Sequence, residues 1–120
     1  MMKHAIKKTL KFWLEWMKLP GQAKAIWRQD RRALSLADPG PAKMIEEGIA
    51  WLGRAQDHST SRDGGVARHY SLTEGWSTSY PETTGYIVPT LIDYGLESGQ
   101  REPIERARRM LDWLVSIQYP

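Results

Sequence analysis

The chain has 120 residues, enough for one ordinary domain, with no cysteine and a net charge of +3. The missing cysteine excludes a disulfide framework and a thiolate metal site, and no apolar run reaches the roughly 18 residues of a membrane-spanning helix. Lys3, Lys7, Lys8 and Lys11 interrupt any signal-peptide core, so a soluble, cytoplasmic protein is expected. The charge is uneven. Residues 1–32 carry nine basic side chains against Glu15 and Asp30, a balance of +7 that leaves −4 for the remainder.

In chain order, residues 3–18 are predicted to form an amphipathic helix, with Ile6, Leu10, Trp13, Leu14 and Met17 on one face and the lysines mostly opposite. Pro20-Gly21 ends it. A second helical segment, 22–36, has weaker periodicity and sets Ile26, Trp27, Leu34 and Leu36 among Arg28, Arg31 and Arg32. Three readings fit this basic N-terminal region, 1–40. It is a cap whose lysine stems cover the rest of the protein, a helix in peripheral contact with an anionic membrane through residues 3–18, or a nucleic-acid-binding arm. No nucleic-acid-binding motif accompanies the charge, so no nucleic-acid partner is expected.

Ala37-Asp38-Pro39-Gly40-Pro41 marks the boundary with a second region, 41–120. Pro41 suits the first turn of a helix over 42–56, whose inward residues are predicted to be Met44, Ile45, Ile49, Leu52 and Ala55. Gly48 inside that helix costs about 1 kcal/mol against alanine, which close approach of a neighbouring helix would explain. A helix over 83–97 presents Ile87, Val88, Leu91, Ile92 and Leu96. Regular helix is expected to begin near Tyr86, which puts Pro89 in the first turn and makes Tyr80–Gly85 an extended entrance. Gly99 stops it, and Pro103 opens a last helix, 103–118, with Ile104, Ala107, Met110, Leu111, Leu114 and Ile117 inward. The expected fold class is all-α.

Between the helices, residues 62–86 form a long segment rich in Gly, Ser and Thr. It also holds Tyr70, Trp76, Tyr80, Tyr86 and the carboxylates Asp63, Glu74 and Glu82. A loop that only connects needs turn formers and little else. This one carries groups that stack, hydrogen-bond and titrate, and it reads as the site-bearing segment.

Residues 50–56, AWLGRAQ, match residues 112–118, DWLVSIQ: Trp51, Leu52 and Gln56 align with Trp113, Leu114 and Gln118 at a constant offset of 62. Ile49 aligns with Leu111 and Ala55 with Ile117, keeping the apolar face in register. A two-helix unit of about 60 residues is a helical-repeat signature. A helix ending W-L-x-x-x-Q and followed by D-G-G resembles the repeat of the α/α-toroid proteins, which include terpenoid cyclases, protein prenyltransferase β subunits and six-hairpin glycosidases. The resemblance covers residues 42–120. It implies helical hairpins of an incomplete toroid, with residues 63–86 at a funnel mouth and residues 86–97 on an inner helix. It also implies an N-terminal fragment that would expose an apolar helix face to missing C-terminal hairpins or a partner chain. There is no D-x-D-D acid motif of the squalene–hopene type. With no cysteine, and with His4, His58 and His69 lacking ligand spacing, the prenyltransferase zinc set is absent too. No metal or cofactor is expected.

Sugar sites combine flat aromatic faces with carboxylates and amide or hydroxyl groups. Asp63, Glu82 and Tyr86 are the catalytic candidates, with Arg68, Tyr70, Trp76, Tyr80, Thr83 and Thr84 as substrate-binding candidates. Asp63 and Glu82 supply the two carboxyl groups a glycosidase holds about 5–9.5 Å apart. Tyr70, Tyr80 or Tyr86 suits proton transfer at a sugar carbon in an epimerase or lyase, with Arg68 on a uronate carboxylate. Each has a structural alternative. Asp63-Gly64-Gly65 is also a turn sequence, Glu82-Thr83-Thr84 also suits first-turn capping, and Trp76 and Tyr80 also suit pinning the loop to the helices. The expected function is action on a carbohydrate or polysaccharide as hydrolase, lyase or epimerase. An isoprenoid substrate, or a non-catalytic helical-repeat scaffold, is the alternative.

Overall fold

The computed structural model describes residues 2–32 and 37–118, with backbone alone for residues 2–5. Leu34, Leu36, Tyr119 and Pro120 lie outside the described residues. Within them the chain is mostly helical: α1 (Met2–Lys18), α2 (Gly21–Asp30), α3 (Pro41–Asp57), α4 (Pro81–Ser98) and α5 (Arg101–Gln118). A two-stranded ladder, β1 (Tyr70–Ser71) with β2 (Gly75–Trp76), lies in the loop between α3 and α4. The chain divides into two compact units, Met1–Asp38 with Leu72–Gly75 and Pro39–Ser71 with Trp76–Pro120.

In the first unit, Pro20 turns the chain and α1 and α2 meet through aromatic rings. Phe12 and Trp16 of α1 approach Trp27 of α2 at centroid distances of 6.0 and 6.1 Å. Lys24 donates a hydrogen bond to the Met17 carbonyl at 2.9 Å and lies 5.1 Å from the centre of the Trp16 ring.

In the second unit, α4 and α5 form a hairpin closed by Gly99, whose φ of 70° gives the left-handed cap that only glycine adopts without cost. The smallness of Gly95 lets the hairpin close, since a Cβ there would stand 2.5 Å from Ile104 Cγ1. The core is Ala55, Val66, Val88, Leu91, Ala107 and Met110, with Ile49, Leu52, Trp76, Ile87 and Ile92 packed around it. Two of these, Val66 and Trp76, come from the loop, so the loop is part of the core as well as an appendage to it.

Several sequence expectations are corrected here. Helix α4 starts at Pro81 and contains Pro89 in its interior, so there is no extended entrance over Tyr80–Gly85. Pro81 sits at the first helical position, where its missing N–H costs nothing. Burial of Thr84, Val88 and Leu91 on one stripe carries the helix through Pro89, because packing stabilises a helix more than local propensity does. Helix α5 begins two residues before Pro103, which is buried in its first turn. The first half of α3 is exposed, Met44 and Ile45 included, because only its second half meets the core. Gly48 accordingly faces open space; the α3 glycine that does not is Gly53, where an added Cβ would stand 3.3 Å from the Arg106 guanidinium. Leu96, Leu111 and Ile117 are exposed rather than inward.

The sequence repeat does not extend to shared packing. Trp113 is 9% exposed and lies over Gly64 and Gly65, whereas Trp51 is 46% exposed and packs on Tyr70 and Trp76. Gln56 is buried, donating to the carbonyls of Gly64 at 2.8 Å and Arg106 at 3.2 Å, while Gln118 is exposed. Leu52 and Leu114 are both half-buried. The difference arises because the D-G-G turn that seats Trp113 has no counterpart beneath Trp51.

Candidate functional site

The loop has a layer that holds it to the helices and a layer that faces outward. The holding layer begins where the chain leaves α3. Ala67 N–H donates to Ala55 O at 3.0 Å, and an antiparallel bridge joins Ala67 to Ser79. Tyr80 N–H donates to Val66 O at 3.0 Å, and Val66 N–H donates to Thr84 Oγ1 at 2.9 Å. Thr84 Oγ1 in turn donates to Tyr80 O at 2.8 Å. Thr84 is fully buried with its hydroxyl committed on both sides, so it serves the fold and not a ligand. Thr84→Val, which keeps the shape, is expected to cost about 1–3 kcal/mol because Val66 N–H loses its acceptor in the core. Thr84→Ser should recover most of that loss in urea denaturation.

Asp63 belongs to the same layer. Its Oδ1 accepts from Gly65 N–H at 3.1 Å and from Ser79 Oγ at 2.5 Å. Ser79 Oγ is also 2.6 Å from Ser59 Oγ and accepts from Ser61 Oγ at 3.0 Å. Burial pushes the Asp63 carboxyl up, but the hydrogen bonds from Ser79, Gly65 and Ser61 outweigh it and hold the group below its ordinary value. A carboxylate so held stays ionised and accepts hydrogen bonds; it is poorly suited to giving up a proton.

The outward layer is aromatic. Trp76 stands between Trp51 and Tyr70, at centroid distances of 4.8 and 5.0 Å, and His58 stacks on it at 6.4 Å with 13° between the planes. Trp51 and Tyr70 meet edge to face, 6.4 Å apart, and Arg54 lies over Trp51 at 5.6 Å. Tyr70 is 43% exposed, so this cluster presents two open rings with a cation and an imidazole at their margin. Among these residues, Trp51, Arg54 and His58 are absent from the site expected from sequence. A spacing of three residues sets Trp51 and Arg54 on one face of α3, and His58 follows four residues on at its C-cap; that spacing is the signal that finds them.

The remaining candidates are spread over other places. Glu82 and Tyr86, one turn apart on α4, line a shallow recess of about 330 Å³ with Pro81 and Gly85, and Tyr86 is 75% exposed. Tyr80 O–H points to Glu82 at 3.5 Å, the outer limit of a hydrogen bond, and Arg68 covers the Tyr80 ring at 4.8 Å. Thr83 is half-buried beside them. Asp63 lines a different recess, of about 440 Å³, with Gly64, Arg109, Asp112, Trp113 and Ser116. Asp63 and Glu82 thus line separate recesses, and the carboxylate that shares one with Asp63 is Asp112. Among the described residues no three His, Asp or Glu side chains form a set able to hold a metal ion, and no helix is long and apolar enough to cross a membrane.

Comparison with protein-family models, curated proteins and solved structures finds no match to this chain.

Proposed function

We propose that the chain contributes helical hairpins to an α/α toroid that acts on a carbohydrate, with the open rings of Trp51 and Tyr70, backed by Trp76, as the platform on which a sugar stacks. The open aromatic cluster carries this reading, since flat rings beside hydrogen-bonding groups are what pyranose faces require. Arg54 supplies a guanidinium at its edge, which suits the carboxylate of a uronate. Glu82 and Tyr86, in their separate recess on α4, are the proposed acid–base groups, reached by another part of an extended substrate. They are exposed side by side, and Arg68 and Tyr80 flank them. Leu111, Val115 and Ile117, all exposed on α5, support further hairpins or a partner chain against that helix.

Calorimetric titration with a glucuronate-containing oligosaccharide, a neutral gluco-oligosaccharide and farnesyl diphosphate tests the proposal. The uronate sugar should bind, and the double variant Trp51→Ala/Tyr70→Ala should weaken it at least about tenfold, the equivalent of about 1.4 kcal/mol. Binding of farnesyl diphosphate alone would move the assignment to an isoprenoid substrate. No binding by a folded chain would favour the scaffold reading.

A further inference from the structure

Helix α1 is wider in its apolar character than its pairing with α2 uses. Its Phe12 and Trp16 edge is spent on Trp27. The stripe beside that edge, Ile6, Leu10, Trp13, Leu14 and Met17, is exposed, each residue between 47% and 61%. At 3.6 residues per turn, Lys7, Lys11 and Lys18 fall together along the far border of this stripe. On α2, Lys24 and Arg28 lie over Trp16, and Arg31, at the C-cap of that helix, lies over Trp27. The result is an apolar strip along a helix of 17 residues, about 25 Å long, bordered by cations on a segment whose charge balance is +7.

We infer that this face docks on the surface of an anionic lipid bilayer, with the α1 stripe entering the headgroup boundary and the lysines meeting lipid phosphates and carboxylates. Charge and shape select this occupant. A second copy of the same face would set Lys7, Lys11 and Lys18 against their equivalents, and like charges at that spacing repel. A nucleic acid would satisfy the lysines but leave five large apolar side chains in water. A bilayer boundary satisfies both: apolar side chains enter the acyl layer, Trp13 rests at its edge, and lysine stems extend to the phosphates. The helix lies on the membrane and does not cross it. This inference is independent of the carbohydrate proposal.

The test uses the 120-residue chain in co-sedimentation with phosphatidylcholine vesicles, with and without one third phosphatidylserine. Binding should require phosphatidylserine and weaken steeply with salt. Lys7→Gln/Lys18→Gln should weaken it roughly 30-fold at low salt, since each cation near such a surface contributes a factor of about five. Leu10→Gln/Met17→Gln, which alters neither a charge nor a ring contact, should weaken it at least about tenfold with helicity unchanged by circular dichroism. Absence of binding to either vesicle would overturn the inference. So would equal binding by the Leu10/Met17 variant, which would mean adsorption by charge alone. A lipid-free dimer that the same variant dissociates, with no vesicle binding, would assign the face to a second copy instead.

Discussion

Replacing Gly65 with alanine is expected to destabilise the second unit by about 3 kcal/mol, the upper part of the range for overpacking a close-fitted site. The cause is contact and not backbone strain, because Gly65 is absent from the positive-φ glycines. A Cβ at this position would lie 2.5 Å from Trp113 Cε3 and Cζ3 and 2.8 Å from Ser79 Cβ. Either the indole moves, exposing a ring now almost fully covered, or the loop lifts. Lifting strains the Gly65 N–H bond to Asp63 and the paired bonds of Val66 to Thr84 and Tyr80. Gly64 is constrained differently: its φ of 97° favours glycine, and an added Cβ would meet Arg109 O at 3.1 Å. Gly48→Ala is the matched control. It faces open space in a helix and should stabilise by up to about 1 kcal/mol. The midpoints of urea unfolding compare the three proteins. A Gly65→Ala midpoint equal to that of the wild type would remove the D-G-G turn as the seat of Trp113.

Arg106→Met is expected to cost about 2–3 kcal/mol. The guanidinium joins the last turns of α3 to the first turn of α5. Its Nη1 donates to Asp57 Oδ1 at 2.7 Å, to Gln56 Oε1 at 3.1 Å and to Gly53 O at 3.2 Å. Its Nη2 donates to Asp57 Oδ2 at 2.8 Å, and Nε donates to Glu102. Methionine keeps the stem and removes every donor. The Asp57 side chain is half exposed, so water recovers part of the loss, and the cost stays below that of breaking a fully buried pair.

The pH dependence carries a sign. Hydrogen bonds from Arg106 hold the Asp57 carboxyl below its ordinary value of 3.8, against burial, which acts upward. A carboxyl depressed in the folded state contributes stability above its unfolded pKa and loses it as pH falls through its folded pKa. The gap in stability between wild type and Arg106→Met should therefore be full at neutral pH and narrow below about pH 4. A gap that stays constant down to strong acid would show that Asp57 is not the partner that matters. Asp63 has the same sign, so the wild type keeps an acid-side decline from that group in either case.

How far the sequence reveals this arrangement depends on how local each feature is. The apolar period marks α3, α4 and α5, and Gly99 marks the α4–α5 turn, because both signals lie within a few residues. Pro89 misleads for the opposite reason. The burial that keeps α4 helical through it comes from Val66 and α5, distant in the chain. Which half of α3 is buried also depends on its neighbours and not on its own period. The D-G-G turn is legible as a turn, but its partner Trp113 lies some 50 residues on, and the Trp-Leu repeat draws attention to a likeness that packing does not keep. Asp63 and Thr84 look reactive by residue type. Their neighbours Ser79 and Val66 turn them into fasteners. In contrast, Trp51 and Arg54 share a face of α3 by spacing alone, with His58 following at its C-cap, and reading Trp51 only as part of the Trp-Leu repeat leaves that unnoticed.

The division of the loop into a fastening layer and an outward aromatic layer is tested most directly by amide and indole NMR of the chain titrated with a glucuronate-containing oligosaccharide. Saturable shifts should gather at Trp51, Tyr70 and Trp76, with His58 and Arg54, while Gly65, Val66 and Thr84 hold still. Shifts centred on Gly65 and Thr84, or no saturable shift at any tryptophan indole, would contradict the account.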